Sequence, residues 1–409
     1  MEDIRERSVD GHVVYALEWK HESCTPPRKT LVTQNHSQST ALRTLLLPEG
    51  FPESVTPDYL EFQVWDTLQA LSSYLRGILC TKALLAGVGV GNQDSSAVAA
   101  AMQWALRDGT GMLGGVLFAW KFAAVFGADL KSWRLFADVI NDVGLTLELA
   151  APHFPQKWFL WVACSGSLCK SLCGVAAGAS RSALMHHFSR GMSSRISDIA
   201  AKEGIQETCV TLIGLVLGLV LTHWHGESVL ITWTVFVLLT IFHVYANYRA
   251  VRCLALNSLN LQRTWILAKN YCNQSGTTSP ISVSSQEALW FWNPDVSLVI
   301  GASVCSISAT KALIQEMLEM SQNCSWFIFA NGSRKLFIFL KEEAQEIDVV
   351  MCMFQINYML KSHCALRDSF KWIQQNRDKI FQDIIKQGWN TNDIYIQTGN
   401  HRLIHSKKT

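Results

Sequence analysis

Two uncharged stretches dominate the hydrophobic pattern of the chain. Residues 208–226 form one stretch of 19 and residues 228–248 another of 21, with Glu227 between them. As helices these would measure roughly 28 and 31 Å, close to the ~30 Å hydrocarbon core of a bilayer. The alternative is a hairpin buried in a large soluble core, but soluble helices of this length usually have a polar face. The pattern therefore predicts a transmembrane hairpin at 208–248.

Helical periodicity also marks the segments before the hairpin. A long helix is predicted to begin near Thr56, with one apolar stripe that should pack on a neighbouring element. This stripe consists of Leu60, Val64, Leu68, Leu71, Leu75 and Ile78. Residues 84–128 are rich in glycine and alanine, and the spacings Gly111-x-x-x-Gly115 and Gly174-x-x-x-Gly178 predict helices in close contact.

The pattern after the hairpin is that of a soluble domain. Asn331-Gly-Ser333 lies between two apolar runs and predicts a β-hairpin, and helical patterns follow at 344–361 and 365–387. The predicted fold is mainly α, a helical membrane-embedded core with a transmembrane hairpin followed by a small α+β C-terminal domain. The predicted division is a polar N-terminal segment at 1–44, a helical core at 45–270, a linker at 271–289 and the α+β domain at 290–409.

Composition and charge narrow the function classes. Hydrophobic residues make up 49% of the chain and charged residues 17%, against ~25% charged in typical soluble domains. A net charge of +2 and the absence of long basic runs argue against nucleic acid as a partner. The 12 cysteines include no CxxC pair, and Gly87–Gly91 lacks the spacing of a nucleotide-binding loop. No metal or cofactor is therefore predicted.

Polar residues recur on one face of the helix predicted at 132–150. Asp138, Asn141 and Asp142 could bring carboxylates together for a divalent metal or a proton relay. The alternative is a solvated face on which Arg134 pairs with Asp138. A charge at mid-bilayer costs roughly 2.5–3.5 kcal/mol, so in a membrane such residues are usually functional. The candidate polar cluster comprises Arg107, Asp108, Arg134, Asp138, Asn141, Asp142 and Arg181. No catalytic role is assigned to them.

Several motifs resemble those of the root UVB sensitive family, and together they span about residues 45–250. They are Leu47–Gln63, Gly87–Gly91, Asp108–Gly114, Trp133–Asp138, Asn141-Asp142, Asp198–Lys202 and Gln206–Thr208. The chain looks closer to the animal-type members of this family. The resemblance implies a membrane-associated protein without an established catalytic activity, and it links plant relatives to plastids, early seedling growth and vitamin B6 balance.

The leading functional prediction is a non-enzymatic membrane scaffold whose partners are the bilayer and proteins bound through the C-terminal domain. One alternative is a small-solute transporter lined by polar residues of 84–150, and another is a membrane-embedded metal-dependent enzyme using Asp138 and Asp142. The charged flanks of the hairpin contain Arg and Lys and its turn contains none. The positive-inside rule then predicts a multi-pass protein with a cytosolic C-terminal domain. No secretory signal or transit peptide is expected at the N-terminus.

Overall fold

The computed structural model describes residues 5–7, 13–18, 28–34, 38–88, 97–225, 228–274, 276–307, 310–331 and 335–404. Near the N-terminus, β1 (Arg5–Arg7), β2 (Val13–Glu18) and β3 (Arg28–Gln34) form an antiparallel sheet in the order β1-β2-β3. The predicted turns at 225–227 and 331–333 lie partly outside the described residues.

Seven helices form the first body of the protein. They are α1 (Gln38–Leu46), α2 (Tyr59–Val88), α3 (Ala97–Phe122), α4 (Leu130–Ala150), α5 (Gln156–Phe188), α6 (Ser193–His225) and α7 (Val229–Cys253). The two helices of the predicted hairpin are α6 and α7, and Ser228 caps α7 by accepting a hydrogen bond from the Ile231 amide. The mainly helical fold class is thereby confirmed.

Two helices organise the packing of this bundle. Helix α4 packs against α5, α2 and α7, while α2 packs against α7, α6 and α4. Helix α3 packs on the opposite side of α5. Because α2 contacts both α6 and α7, it packs against both helices of the predicted hairpin. Helix α4 therefore connects α5 with α2 and α7.

The apolar stripe predicted on α2 packs inward over part of its length, where Ile78 lies against Gly218 of α6. Leu60 and Val64 are 46% and 51% exposed, whereas Gln69, Ser72 and Arg76 on another side of the helix are buried. The prediction that the stripe packs inward is wrong at its first two positions. Periodicity identified residues that share a face, but it could not tell whether that face meets protein or the surroundings.

The two predicted glycine contacts have different outcomes. Gly111 and Gly115 on α3 lie against Ser167 and Ser171 of α5, and a Cβ at Gly111 would meet Ser167 Oγ at 2.6 Å. Close contact of α3 and α5 is therefore confirmed. The segment Gly174–Gly178 is different, because a Cβ added at either of these two glycines would meet nothing within 4 Å. The prediction of close packing there is wrong.

The second body is an α+β domain. Its helices are α8 (Leu261–Gln274), α9 (Pro280–Gln286), α10 (Lys311–Met320), α11 (Glu346–Ser362) and α12 (Leu366–Lys386). Its strands are β4 (Ser258–Asn260), β5 (Ser297–Ile300), β6 (Trp326–Asn331), β7 (Lys335–Leu340) and β8 (Asn390–Tyr395). Strands β6 and β7 pair antiparallel as predicted, β5 joins β7 in parallel, and β4 pairs with β8 in parallel.

Elements before the predicted boundary at residue 290 also pack with the sheet of this domain. Strand β4 pairs with β8, and Trp265, Leu267 and Tyr271 of α8 belong to the same apolar core as the sheet. The segment 271–289, predicted as a linker, contains α9, and Val283 within it is fully buried. The serine-rich composition that suggested a free connector instead supplies hydrogen-bonding groups to a packed junction.

Three helices among the described residues are long and apolar enough to cross a membrane. They are α5, α6 and α7. Large apolar side chains on these helices and on α3 point outward, and Trp120, Trp224 and Leu230 are each more than three-quarters exposed. An exposed apolar surface of this extent is unusual for a soluble monomer and suits contact with lipid or another protein.

Candidate functional site

A buried ion pair between α2 and α4 lies at the centre of the bundle. Arg76 Nη1 of α2 is 2.5 Å from Asp142 Oδ1 of α4, and Arg76 is completely buried. Arg76 Nη1 also donates to Thr240 Oγ1 of α7 at 3.2 Å, and His243 Nδ1 of α7 is 3.1 Å from Asp142 Oδ1. Three helices therefore meet at the Asp142 carboxylate.

Gln69 of α2 extends this network to the second carboxylate of α4. Its side-chain nitrogen Nε2 is 2.9 Å from Asp138 Oδ1 and 2.7 Å from His243 Nε2. Asp138 Oδ2 and the Arg76 atoms Nε and Nη2 are buried and have no hydrogen-bond partner among the described residues. Buried polar atoms are nearly always hydrogen-bonded, so three without a partner mark this network as unusual. We call the set Gln69, Arg76, Asp138, Asp142 and His243 the central network.

Arg134 and Asn141 of α4 extend the polar contacts with α2. Arg134 forms an ion pair with Asp66 of α2, and its Nε is 4.0 Å from Asp138 Oδ2. Asn141 donates to Ser73 Oγ of α2 at 3.1 Å. Asp138 and Asp142 are 7% and 8% exposed as whole residues. The alternative that they lie on a solvated face of α4 is therefore wrong.

A second ionic contact lies on the side of α4 that faces α3 and α5. Glu148 of α4 is buried, and its Oε1 is 2.5 Å from Arg107 Nη2 of α3. Its Oε2 is 3.1 Å from Lys170 Nζ of α5. Arg107 Nη1 is 3.2 Å from Asp108, whose side chain is 45% exposed. Asp108 is therefore at the edge of this contact and not in the central network.

An open groove runs beside the second ionic contact. Its volume is about 650 Å³, and it is lined by Tyr74, Gly77, Ile78, Thr81, Lys82, Leu85, Ala86 and Lys170. The groove thus lies along α2 and reaches α5 through Lys170, which also contacts Glu148. Ligand pockets of proteins have volumes of about 300–1,000 Å³, so the groove is large enough for a small molecule.

The predicted candidate residues are only partly brought together. Arg134, Asp138, Asn141 and Asp142 line up against α2, and Arg107 and Asp108 belong to the second contact. Arg181 of α5 lies apart, where it pairs with Glu203 and Glu207 of α6. In the part of the chain that the structure describes, no group of three or more His, Cys, Asp or Glu side chains could hold a metal ion.

Another ionic cluster joins the bundle to the C-terminal domain. Glu287, just after α9, is 2.7 Å from Lys131 Nζ of α4 and 2.8 Å from Arg263 Nη1 of α8. Burial by itself would raise the pKa of the Glu287 carboxyl, but the charges of Arg263 and Lys131 lower it below its ordinary value. Arg252 at the end of α7 donates to the Ser285 and Glu287 carbonyls. The cluster fixes the position of the domain against α4 and α7.

The sequence pattern did not identify the partners of the α4 carboxylates. Arg76 and Gln69 are polar residues of the helix predicted as amphipathic, and His243 lies within a predicted span. Only His243 had a signal that could have been used, because an ionisable residue in a long apolar helix usually faces a partner inside the bundle. His243 did not interrupt the uncharged stretch 228–248, because histidine is counted as neutral.

Together these features are compatible with a membrane-embedded class of protein. Apolar side chains cover the outside of a helical bundle, and charged side chains are paired within it, which is the arrangement typical of membrane-embedded bundles. The comparison with known proteins gives the family. The domain family described as "Vitamin B6 photo-protection and homoeostasis domain" matches residues 33–275. The chain belongs to this family, the root UVB sensitive family.

Curated relatives match over most of the chain. "Protein root UVB sensitive 3" of Arabidopsis thaliana is 38% identical over 374 residues, which cover 87% of this chain and 84% of the relative. "RUS family member 1" of Dictyostelium discoideum is 37% identical over 279 residues, 68% of this chain and 53% of the relative. "Protein root UVB sensitive 5" of Arabidopsis thaliana is 27% identical over 93% of this chain and 81% of the relative. No solved structure matches the chain.

Proposed function

We propose that this protein is an integral membrane transporter that carries a small polar solute, and that the solute is a form of vitamin B6. The observation that carries the proposal is the position of the central network along α7. His243 lies within the uncharged stretch 228–248 of a helix long enough to span a bilayer, six residues before Arg249. Asp142 and Arg76 would then lie at membrane depth, nearer the face at which Arg249 lies.

Charges at that depth support transport more than scaffolding. A scaffold needs an apolar exterior and a binding surface, and neither of these requires charges inside the bundle. Ionisable residues buried within membrane helices usually belong to a solute path, an ion path or a proton relay. The scaffold that the sequence favoured remains a prediction, and it leaves the central network without a role.

The groove along α2 supports a small solute with both polar and aromatic character. Lys82, Lys170 and Thr81 supply hydrogen-bonding groups, Tyr74 supplies an aromatic ring, and Ile78 lies among them. The name of the family's domain includes vitamin B6, whose forms are substituted pyridines with hydroxyl groups and, in some, a phosphate. A groove of this composition suits such a molecule.

Uptake by vesicles containing the purified full-length protein tests the proposal. We expect such vesicles to accumulate tritium-labelled pyridoxine or pyridoxal phosphate faster than empty vesicles. Asp142→Asn should reduce the rate at least tenfold, because the Arg76 charge loses its partner. The matched control is Glu207→Gln, which removes an exposed carboxylate of α6 and should leave the rate unchanged. Uptake of both compounds equal to that of empty vesicles would refute the proposal.

A further inference from the structure

The direction of the hydrogen bonds around Gln69 determines the protonation of His243. A side-chain amide nitrogen can only donate, and Gln69 Nε2 lies within hydrogen-bonding distance of both His243 Nε2 and Asp138 Oδ1. His243 Nε2 must then accept, so its proton is on Nδ1, which points at Asp142. The imidazole is consequently neutral, and Asp142 accepts hydrogen bonds from both His243 and Arg76.

With a neutral His243, the buried charges do not balance. Three carboxylates, those of Asp66, Asp138 and Asp142, face two guanidinium groups, those of Arg76 and Arg134. On the remaining elements near these groups, α5 contributes the thiol of Cys173 and the ammonium of Lys170, which is paired with Glu148, and Glu203 of α6 is paired with Arg181. One negative charge is left without a counter-charge in a region of low polarity, where an unpaired charge is strongly unfavourable.

The unpartnered oxygen identifies where this charge is neutralised. Asp142 has two charged or polar donors and Asp66 has Arg134, whereas Asp138 Oδ2 has no hydrogen-bond partner and is buried. We propose that Asp138 is a proton-binding residue, which holds a proton in the conformation described here and releases it when the central network opens to water. The proton comes from the solvent and forms an O–H bond at Oδ2, and no bond in the protein is broken.

The assignment does not depend on the orientation of the Gln69 amide. If the amide were turned, its oxygen would face both His243 Nε2 and Asp138 Oδ1. Each of those two atoms would then need a proton in order to donate to it. Asp138 therefore carries a proton in either orientation, on Oδ2 in the first and on Oδ1 in the second, where His243 would be protonated on both nitrogens. Proton coupling of transport follows if the proposed transport function is correct, because opening the bundle to a solute would also expose Asp138.

Infrared spectroscopy of the purified full-length protein in lipid vesicles tests for this proton directly. At neutral pH we expect a carboxylic acid C=O band that shifts in heavy water and disappears in Asp138→Asn. Asparagine has nearly the shape of a protonated aspartate, so this variant should fold, and Asp138→Glu should retain a band at a changed frequency. Glu207→Gln is the matched control and should keep the wild-type band.

Two results would overturn the proposal. One is a band that persists unchanged in Asp138→Asn, which would place the proton elsewhere. The other is the absence of the band in Na⁺ buffer with its appearance when Na⁺ is removed, which would show a bound cation in place of the proton. The experiment contains no solute, so its failure would leave the uptake assay, and with it the proposed transport function, to be judged separately.

Discussion

Replacing Asp142 by asparagine is expected to destabilise the bundle strongly. The substitution keeps the shape of the side chain and removes the charge that compensates Arg76. Arg76 is fully buried, and two of its nitrogen atoms already have no hydrogen-bond partner among the described residues. Its third nitrogen is 2.5 Å from Asp142 Oδ1. Asp142→Asn thus leaves a buried guanidinium whose acceptors, the asparagine oxygen and Thr240 Oγ1, are both uncharged.

The size of the effect follows from the burial of both partners. Removing one member of a buried ion pair typically costs about 3–5 kcal/mol, because the remaining charge stays in a region of low polarity. We therefore expect the free energy of unfolding to fall by about 3–5 kcal/mol in Asp142→Asn. In the double variant Arg76→Met with Asp142→Asn, both charges are gone, and the loss should be smaller than the sum of the single losses by about 1–3 kcal/mol.

Equilibrium unfolding in mixed detergent micelles, with increasing sodium dodecyl sulfate, measures these differences. The control is Glu207→Gln, whose carboxylate side chain is 62% exposed and pairs with Arg181 at the surface. It should change the free energy of unfolding by no more than about 0.5 kcal/mol. A loss below about 1 kcal/mol for Asp142→Asn, or additive single losses in the double variant, would show that Arg76 and Asp142 are not a buried pair.

Other predictions follow from the same structure. The protein should remain in the membrane pellet after alkaline carbonate washing, and quantitative release would rule out integral insertion. Gly111→Leu should lower the free energy of unfolding by about 1–3 kcal/mol while Gly174→Leu changes it little, because only Gly111 lies against another helix; equal effects would contradict this. The pKa of the Glu287 carboxyl is lower in the folded than in the unfolded protein. Its contribution to the free energy of unfolding is therefore present above about pH 4.5 and is lost as the pH falls through the lowered pKa. Glu287→Gln should make the free energy of unfolding depend less on pH in this acidic range. Asn323-Cys-Ser325 and Asn331-Gly-Ser333 have the Asn-x-Ser sequence of N-glycosylation sites. If the C-terminal domain is cytosolic, both asparagines should stay unglycosylated in cells, and a glycan on either would invert the topology.

The sequence was sufficient for features that depend on long or local signals. The uncharged runs predicted α6 and α7 because a bilayer-length apolar helix needs no tertiary information to be recognised. The turn residues Asn331-Gly-Ser333 predicted the pairing of β6 and β7 in the same local way. The polar recurrence on α4 also identified Asp138 and Asp142 as special, since helical periodicity places them on one face.

The features that could not be predicted depend on contacts between distant segments. Arg76 and Asp142 are 66 residues apart, and His243 lies another 101 residues beyond Asp142. A single sequence contains no information that pairs them. The exposure of Leu60 and Val64 on α2 could not be predicted for a related reason, because an exposed and a core-facing apolar residue have the same place in a helical pattern.

The position of α4 constrains how the bundle could open. Successive residues of a helix are about 100° apart, so Asp142 and Glu148 project from different sides of α4. Asp142 is held by α2 and α7, and Glu148 is held by α3 and α5. Any displacement of α4 toward one side lengthens an ion pair on the other, and each broken pair leaves a buried charge. A solute or a proton that replaces a lost partner removes that penalty. On the proposed transport function, the ionic contacts of α4 would then hold the bundle closed until such a partner is bound.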